Sequence, residues 1–237
     1  MKKSLLVSGL ILLFLFLVLL ITQTKSPGRC LTAFKSVFIS YSYLDNPNYL
    51  TRTEYFSSDT AQKSIVMLGN SLTSRMDWNK LLNRHDVANR GIGSDITEGF
   101  VNRMNTVVGL KPQICFVEGG VNDLARNIPV DEIIKNLRFI INTLKSESII
   151  PVLTTVTYVS RDYRKSGFFN RKVKRLNKAL LFLAKQSHVY VIDLNPSLTD
   201  GRYLKKEHAE ADGIHLKPDS YLIWRDEIIN VLVQQDI

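Results

Sequence analysis

Cysteine is scarce in this chain of 237 residues, which holds only Cys30 and Cys115. Two cysteines so far apart make no disulfide framework, and no Cys/His spacing suits a structural metal. Cys115 lies in an apolar run and reads as a small buried hydrophobe. Cys30 follows Arg29 in "SPGRC", where a lipoprotein site wants a small residue. The count leaves the redox compartment open. Internal repeats and low-complexity tracts are also missing, which excludes solenoid and fibrous architectures. Charged residues make up 22% and hydrophobic ones 45%, too apolar a balance for a disordered chain. The length suits one α/β domain with a full core and is tight for two. A net charge of +9 favours anionic partners without bearing on fold. No nucleic-acid recognition motif accompanies it, so nucleic acid is not an expected partner.

Charge is absent from one long stretch, "LLVSGLILLFLFLVLLI" at 5–21, and at 1.5 Å per residue it spans about 25 Å, enough to cross a bilayer core. No A-x-A pattern follows it, and its core is longer than a cleavable signal peptide needs. A single-pass signal anchor over 1–24 is therefore expected, with the remaining chain outside the cytoplasm. Secretion after cleavage is the alternative.

Residues 25–62 read as a stalk and lead-in with a short helix near 49–56, and the pattern then alternates. Strand-like runs fall at 64–68, 86–89, 113–118, 149–156 and 189–194. Helical patterns fall at 77–84, 97–108, 130–145, 168–186 and 219–233. This alternation predicts a three-layer α/β/α sandwich over 63–237, with a flavodoxin-like five-stranded parallel sheet. In such sheets ligands bind beyond the carboxyl ends of the strands, so chemistry is expected in the loops that follow them.

Those loops carry specific polar residues. Gly69-Asn70-Ser71-Leu72 follows the first strand and "NRGIGSDIT" the second. Gly119-Gly120-Val121-Asn122-Asp123 follows the third, and "ADGIHLKPDSY", with Asp212 and His215, precedes the last helix. Serine at a strand-to-helix turn is a good helix cap. It is also a nucleophile when a histidine base lies in reach and a carboxylate orients the imidazole. Asp212 and His215, three apart, are close enough to pair. Acyl transfer further needs donors for the developing oxyanion. The backbone N–H of Ser71, the turn at Gly93-Ser94 and the amide of Asn122 are the candidates. Asn122 also suits a plain turn.

The four blocks, in this order, resemble the SGNH hydrolases, also called GDSL esterases and lipases. The resemblance covers roughly 63–235. It implies Ser71 as nucleophile, His215 and Asp212 as base and acid of a triad, and Ser71, Asn122 and Ser94 or Gly93 as oxyanion donors. It implies no metal and no organic cofactor. Two positions depart from the family pattern. Asn70 stands where the family usually has Asp, and Ser94 stands where it usually has the oxyanion glycine.

The expected activity is hydrolysis of small acyl esters, either an O-acetyl group on a carbohydrate or a short-chain lipid ester. An O-acyltransferase acting on a glycan and a catalytically silent carbohydrate-binding domain are the alternatives. Tyr158, after the fourth strand, is a candidate pocket wall. Glu118, at the end of the third strand, is an odd residue there and reads either as a pocket border or as a paired charge. The basic run from Arg161 to Lys178 reads either as a surface for anionic headgroups or as a solvated helix face.

Overall fold

The computed structural model describes residues 41–237, and the apolar run at 5–21 lies outside them. Among the described residues no helix is long and apolar enough to cross a membrane. Ser42–Ile237 forms one compact unit.

Five strands make its centre: β1 Ile65–Gly69, β2 Val87–Gly91, β3 Ile114–Glu118, β4 Ile150–Thr154 and β5 Tyr190–Ile192. All pair in parallel, in the order β2-β1-β3-β4-β5. Side chains alternate across a strand, so neighbouring residues enter opposite cores. Val66 and Leu68 join one apolar cluster, while Ile65 and Met67 join the other. Both faces being covered, the central strands β1 and β3 are buried along their whole length, as parallel sheets require, while the edge strand β5 leaves Tyr190 exposed.

Ten α-helices, numbered in chain order, accompany the sheet among the described residues. A lead-in helix, α1, covers Tyr49–Ser58. On one face lie α4 (Thr97–Asn102), α5 (Asn105–Val108), α6 (Val121–Ala125), α7 (Val130–Ser146) and α8 (Ser166–Ser187). On the other lie α2 (Ser71–Ser74), α3 (Trp78–Leu82), α9 (Asn195–Leu198) and α10 (Ser220–Gln234). The long helices follow a 3.6-residue stripe: α7 buries Ile133, Leu137, Ile140, Ile141 and Leu144. The three-layer sandwich and its five parallel strands thus stand as expected.

The differences have local causes. The single helix expected over 97–108 is two, because Arg103 leaves helical geometry at φ −116° and turns its guanidinium inward. Helices α2, α6 and α9, of four or five residues, have too few residues to show a period. The lead-in from Ser42 onward packs into the body. Tyr49 Oη donates to the Gly99 carbonyl (2.8 Å), and Asn46 Nδ2 donates to the Gly93 carbonyl (2.9 Å).

The sheet order reverses at β1, which β2 and β3 flank. Ligand crevices in such sheets form beyond the carboxyl ends at this switch point. Ser71, Ser94 and Asn122 follow β1, β2 and β3.

Candidate active site

Asn70, not Ser71, caps α2. Its Oδ1 accepts the Leu72 N–H at 2.9 Å, which leaves the Ser71 hydroxyl free of capping duty. That hydroxyl meets His215 Nε2 at 2.8 Å. The other ring nitrogen, Nδ1, pairs with Asp212 Oδ2. The three residues named from the sequence are therefore joined in one chain across 144 positions. Partial burial alone would raise the Asp212 carboxyl. Hydrogen bonds from the backbone and ring of His215 and from the Ile214 N–H outweigh it and hold the carboxyl at about 2. An ionised Asp212 accepts a hydrogen bond from Nδ1–H, so Nε2 presents its lone pair to the serine.

The loop carrying Asp212 and His215 is held at both ends. Glu210 N donates to the His215 carbonyl (2.8 Å), and Ser160 N donates to the Gly213 carbonyl (2.7 Å). Gly213 has φ +74°, and a Cβ there would come within 2.7 Å of Ser160 Oγ. Only glycine meets both constraints. On the opposite side, Tyr221 Oη donates to the Leu72 carbonyl at 2.9 Å, tying α10 to the serine's helix.

The donor side is built on Asp95. Its carboxylate takes Arg103 Nε at 2.9 Å, with both side chains fully buried. Arg103 also donates to the Arg90 carbonyl (2.7 Å) and the Gly69 carbonyl (3.1 Å). Burial pushes the Asp95 carboxyl up, and Arg103 opposes it. Burial likewise pulls the Arg103 guanidinium down, and Asp95 opposes it. Asn122 Nδ2 donates to the Asp95 carbonyl at 2.9 Å, so the loop after β2 and the helix after β3 are joined. Asp123 beside it accepts from the N–H and hydroxyl of Thr97. Ser71 opens α2, so its N–H has no acceptor within the helix.

Ser94 sits exposed at the tip of the turn closed by Asp95 N to the Ile92 carbonyl (3.2 Å), with φ +62°. That angle is strained for any residue with a Cβ, and it explains why glycine suits the position. Ser94→Gly should raise stability by up to about 1 kcal/mol and keep turnover, whereas Ser94→Val should destabilise. A thermal melt beside an esterase assay checks both. Gly93 next to it has open space where a Cβ would stand.

Tyr158 is half-buried. Its N–H donates to Asn195 Oδ1 (3.0 Å), and its ring packs on the apolar cluster beneath α7 and α8. These contacts do not join it to Ser71 or His215. Glu118 proves to be a buried partner of Asn70, whose Nδ2 donates to its Oε1 at 3.1 Å. Glu210, Asp212 and His215 bring potential ligand atoms within 4.8 Å of one another. Each is already engaged, since Glu210 bonds Arg75 (2.9 Å) and both histidine nitrogens are taken.

Sequence reasoning missed Asn46, Arg103, Asn170 and Asn177. Asn170 and Asn177 clamp both polar backbone groups of Val159 and Val156. A readable signal existed for these two: they are polar residues seven apart within the apolar stripe of α8. Arg103 and Asn46 left none.

A parallel sheet with a Ser–His–Asp chain at its carboxyl edge marks the class of ester-bond hydrolases. More narrowly, the chain belongs to the GDSL-like Lipase/Acylhydrolase family, whose description matches residues 59–223. It is similar to the lipase/acylhydrolase from Enterococcus faecalis, at 26% identity and a TM-score of 0.64, covering 73% of this chain and 97% of that one. It shares its fold with a catalytic mutant of the acetylxylan esterase Axe2 from Geobacillus stearothermophilus (15% identity, TM-score 0.61, 72% and 94% covered). An N-acylneuraminate cytidylyltransferase of Streptococcus agalactiae is 24% identical over 206 residues, 81% of this chain. The chain spans about half the length of that relative, 46%.

Proposed function

We propose that the protein is a serine esterase that removes a small acyl group, first of all acetyl, from a carbohydrate. His215 Nε2 takes the proton of Ser71 as Oγ attacks the ester carbonyl. The N–H groups of Ser71 and of Ser94 or Gly93, with the Asn122 amide, receive the oxyanion. His215 then returns the proton to the departing alcohol oxygen, and water repeats the sequence to free the acid. The observation that carries this reading is the 2.8 Å contact between Ser71 Oγ and His215 Nε2, with Asp212 behind the ring. A silent binding domain has no use for such a contact.

The relative named for an N-acylneuraminate supports a sugar substrate, and a short-chain lipid ester is the second reading, supported by the lipase/acylhydrolase from Enterococcus faecalis. The +9 charge suits an anionic substrate or surface. The apolar run at 5–21 would hold the enzyme on a membrane with its site outside the cytoplasm.

The test is turnover of acetylated sugars and of p-nitrophenyl esters of increasing acyl length, with Ser71→Ala as control. Preference for acetyl and for sugar esters supports the reading, and activity confined to long chains refutes the acetyl assignment. Product analysis with a sugar acceptor separates hydrolysis from acyl transfer. Asn122→Ala should lower kcat/KM by about 10²- to 10³-fold, the usual loss for one oxyanion donor. It should also cost about 1 kcal/mol of stability through the lost bond to Asp95, read by denaturant titration.

A further inference from the structure

Glu118 is a carboxylic acid inside the protein, 3% exposed, at the end of the central strand β3. Buried carboxyls are rare without a partner or a task. Its Oε1 accepts from Asn70 Nδ2, while its buried Oε2 meets no partner among the described residues. Asn70, itself wholly buried, uses its other side-chain atom to cap the Leu72 N–H. The order of contacts is therefore strand carboxyl, amide, helix cap, nucleophile.

The helix being capped has four residues. So short a helix depends on contacts at its ends: Tyr221 and Trp78 hold the Leu72 and Thr73 carbonyls, and the Asn70 cap fixes the start, next to Ser71. The close approach around the turn is equally specific. Gly69 is the cross-strand partner of Glu118, and a Cβ on it would strike Thr73 Oγ1 at 2.0 Å. On the other side of Glu118, its cross-strand partner Thr154 also has a buried hydroxyl with no partner among the described residues.

We infer that Glu118 is a positioning residue for the nucleophile, acting through Asn70 to hold Ser71 at hydrogen-bond distance from His215. The inference rests on Ser71 being the nucleophile. It also accounts for Asn70. With a carboxyl already on the strand, a second one at position 70 would face it at about 3 Å, and two such groups cannot both ionise. An amide fits because it donates to Glu118 with one atom and accepts from Leu72 with the other.

Burial pushes the Glu118 carboxyl up to about 7, against hydrogen bonds from the Asn70 side chain and backbone. The titratable groups facing it are Tyr221 from α10 and Asp123 from α6. The Tyr221 phenol is raised by its own burial and then by Glu118, so it stays neutral in the working range. An ionised carboxylate grips the Asn70 amide more strongly than a protonated one. As pH rises through about 7, ionisation of Glu118 should therefore add a step to kcat that Glu118→Gln lacks.

The experiment measures kcat, KM and thermal midpoint from pH 5 to 9 for the full chain and five variants. Glu118→Ala should lower kcat by about 10- to 100-fold with KM unchanged, the scale of a small misplacement of a reacting group. Glu118→Gln should keep most of kcat and lose the step near pH 7. Asn70→Asp should be impaired, and the exchanged pair Asn70→Asp with Glu118→Gln should recover most of the loss, because the amide and carboxyl have traded places. Wild-type kcat in a folded Glu118→Ala, or an exchanged pair no better than Asn70→Asp alone, overturns the inference. Ser71→Ala completes the set: if it turns over like the wild type, the nucleophile assignment is what has failed.

Discussion

Ser71→Ala is expected to lower kcat/KM for a short ester by about 10⁴- to 10⁶-fold, the range seen when a serine nucleophile is removed. Its fold should be untouched. The Ser71 hydroxyl bonds only His215 in the described structure, while the cap on α2 comes from Asn70 and the tie to α10 from Leu72. A melting curve matching the wild type, beside lost turnover, would show that the serine is spent on chemistry. Residual rate above water is expected, because the donors around Asn122 and the Ser94 turn remain.

Arg103→Met should cost about 3–5 kcal/mol of stability, the penalty for leaving a buried charge unpaired. Methionine keeps much of the volume but none of the donors. The substitution strips a partner from the Asp95 carboxylate and from the carbonyls of Arg90 and Gly69. It also removes a guanidinium stacked 5.0 Å over the Phe100 ring. Gly69 ends β1 just before the nucleophile turn, and Asp95 supports Asn122, so activity should fall further than unfolding alone accounts for. Adding Asp95→Asn to Arg103→Met should return part of the stability, since a neutral amide tolerates burial better than a lone carboxylate. Urea titration of the single and double variants reads both effects, and their non-additivity measures the pair.

The sheet and the long helices were legible in the sequence because each leaves a period. The run from Ile65 to Gly69 is buried on both faces and reads as continuous apolar sequence, and Ile133 to Leu144 marks a stripe. Ser71, Asp212 and His215 were legible as residue types in loops that follow strands or precede the last helix. Their union was not, since nothing local tells Ser71 that His215 lies 2.8 Å away. The support under the site was largely hidden for the same reason. Arg103 reads as an ordinary charged helix residue until its guanidinium is found on three elements at once. Glu118 stood out as a charge at a strand end, but its partner Asn70 is 48 positions away. The short helices α2, α6 and α9 exist because a cap or a neighbouring loop holds them, not because their own residues favour a helix.

In the proposed reaction His215 makes Ser71 the nucleophile. Mass spectrometry of the intact protein after exposure to a fluorophosphonate, followed by peptide mapping, tests it most directly. One adduct is expected, on the peptide that holds Ser71, absent in Ser71→Ala and formed far more slowly in His215→Ala. Labelling of Ser71→Ala at the wild-type rate, or an adduct on a different residue, would contradict the account.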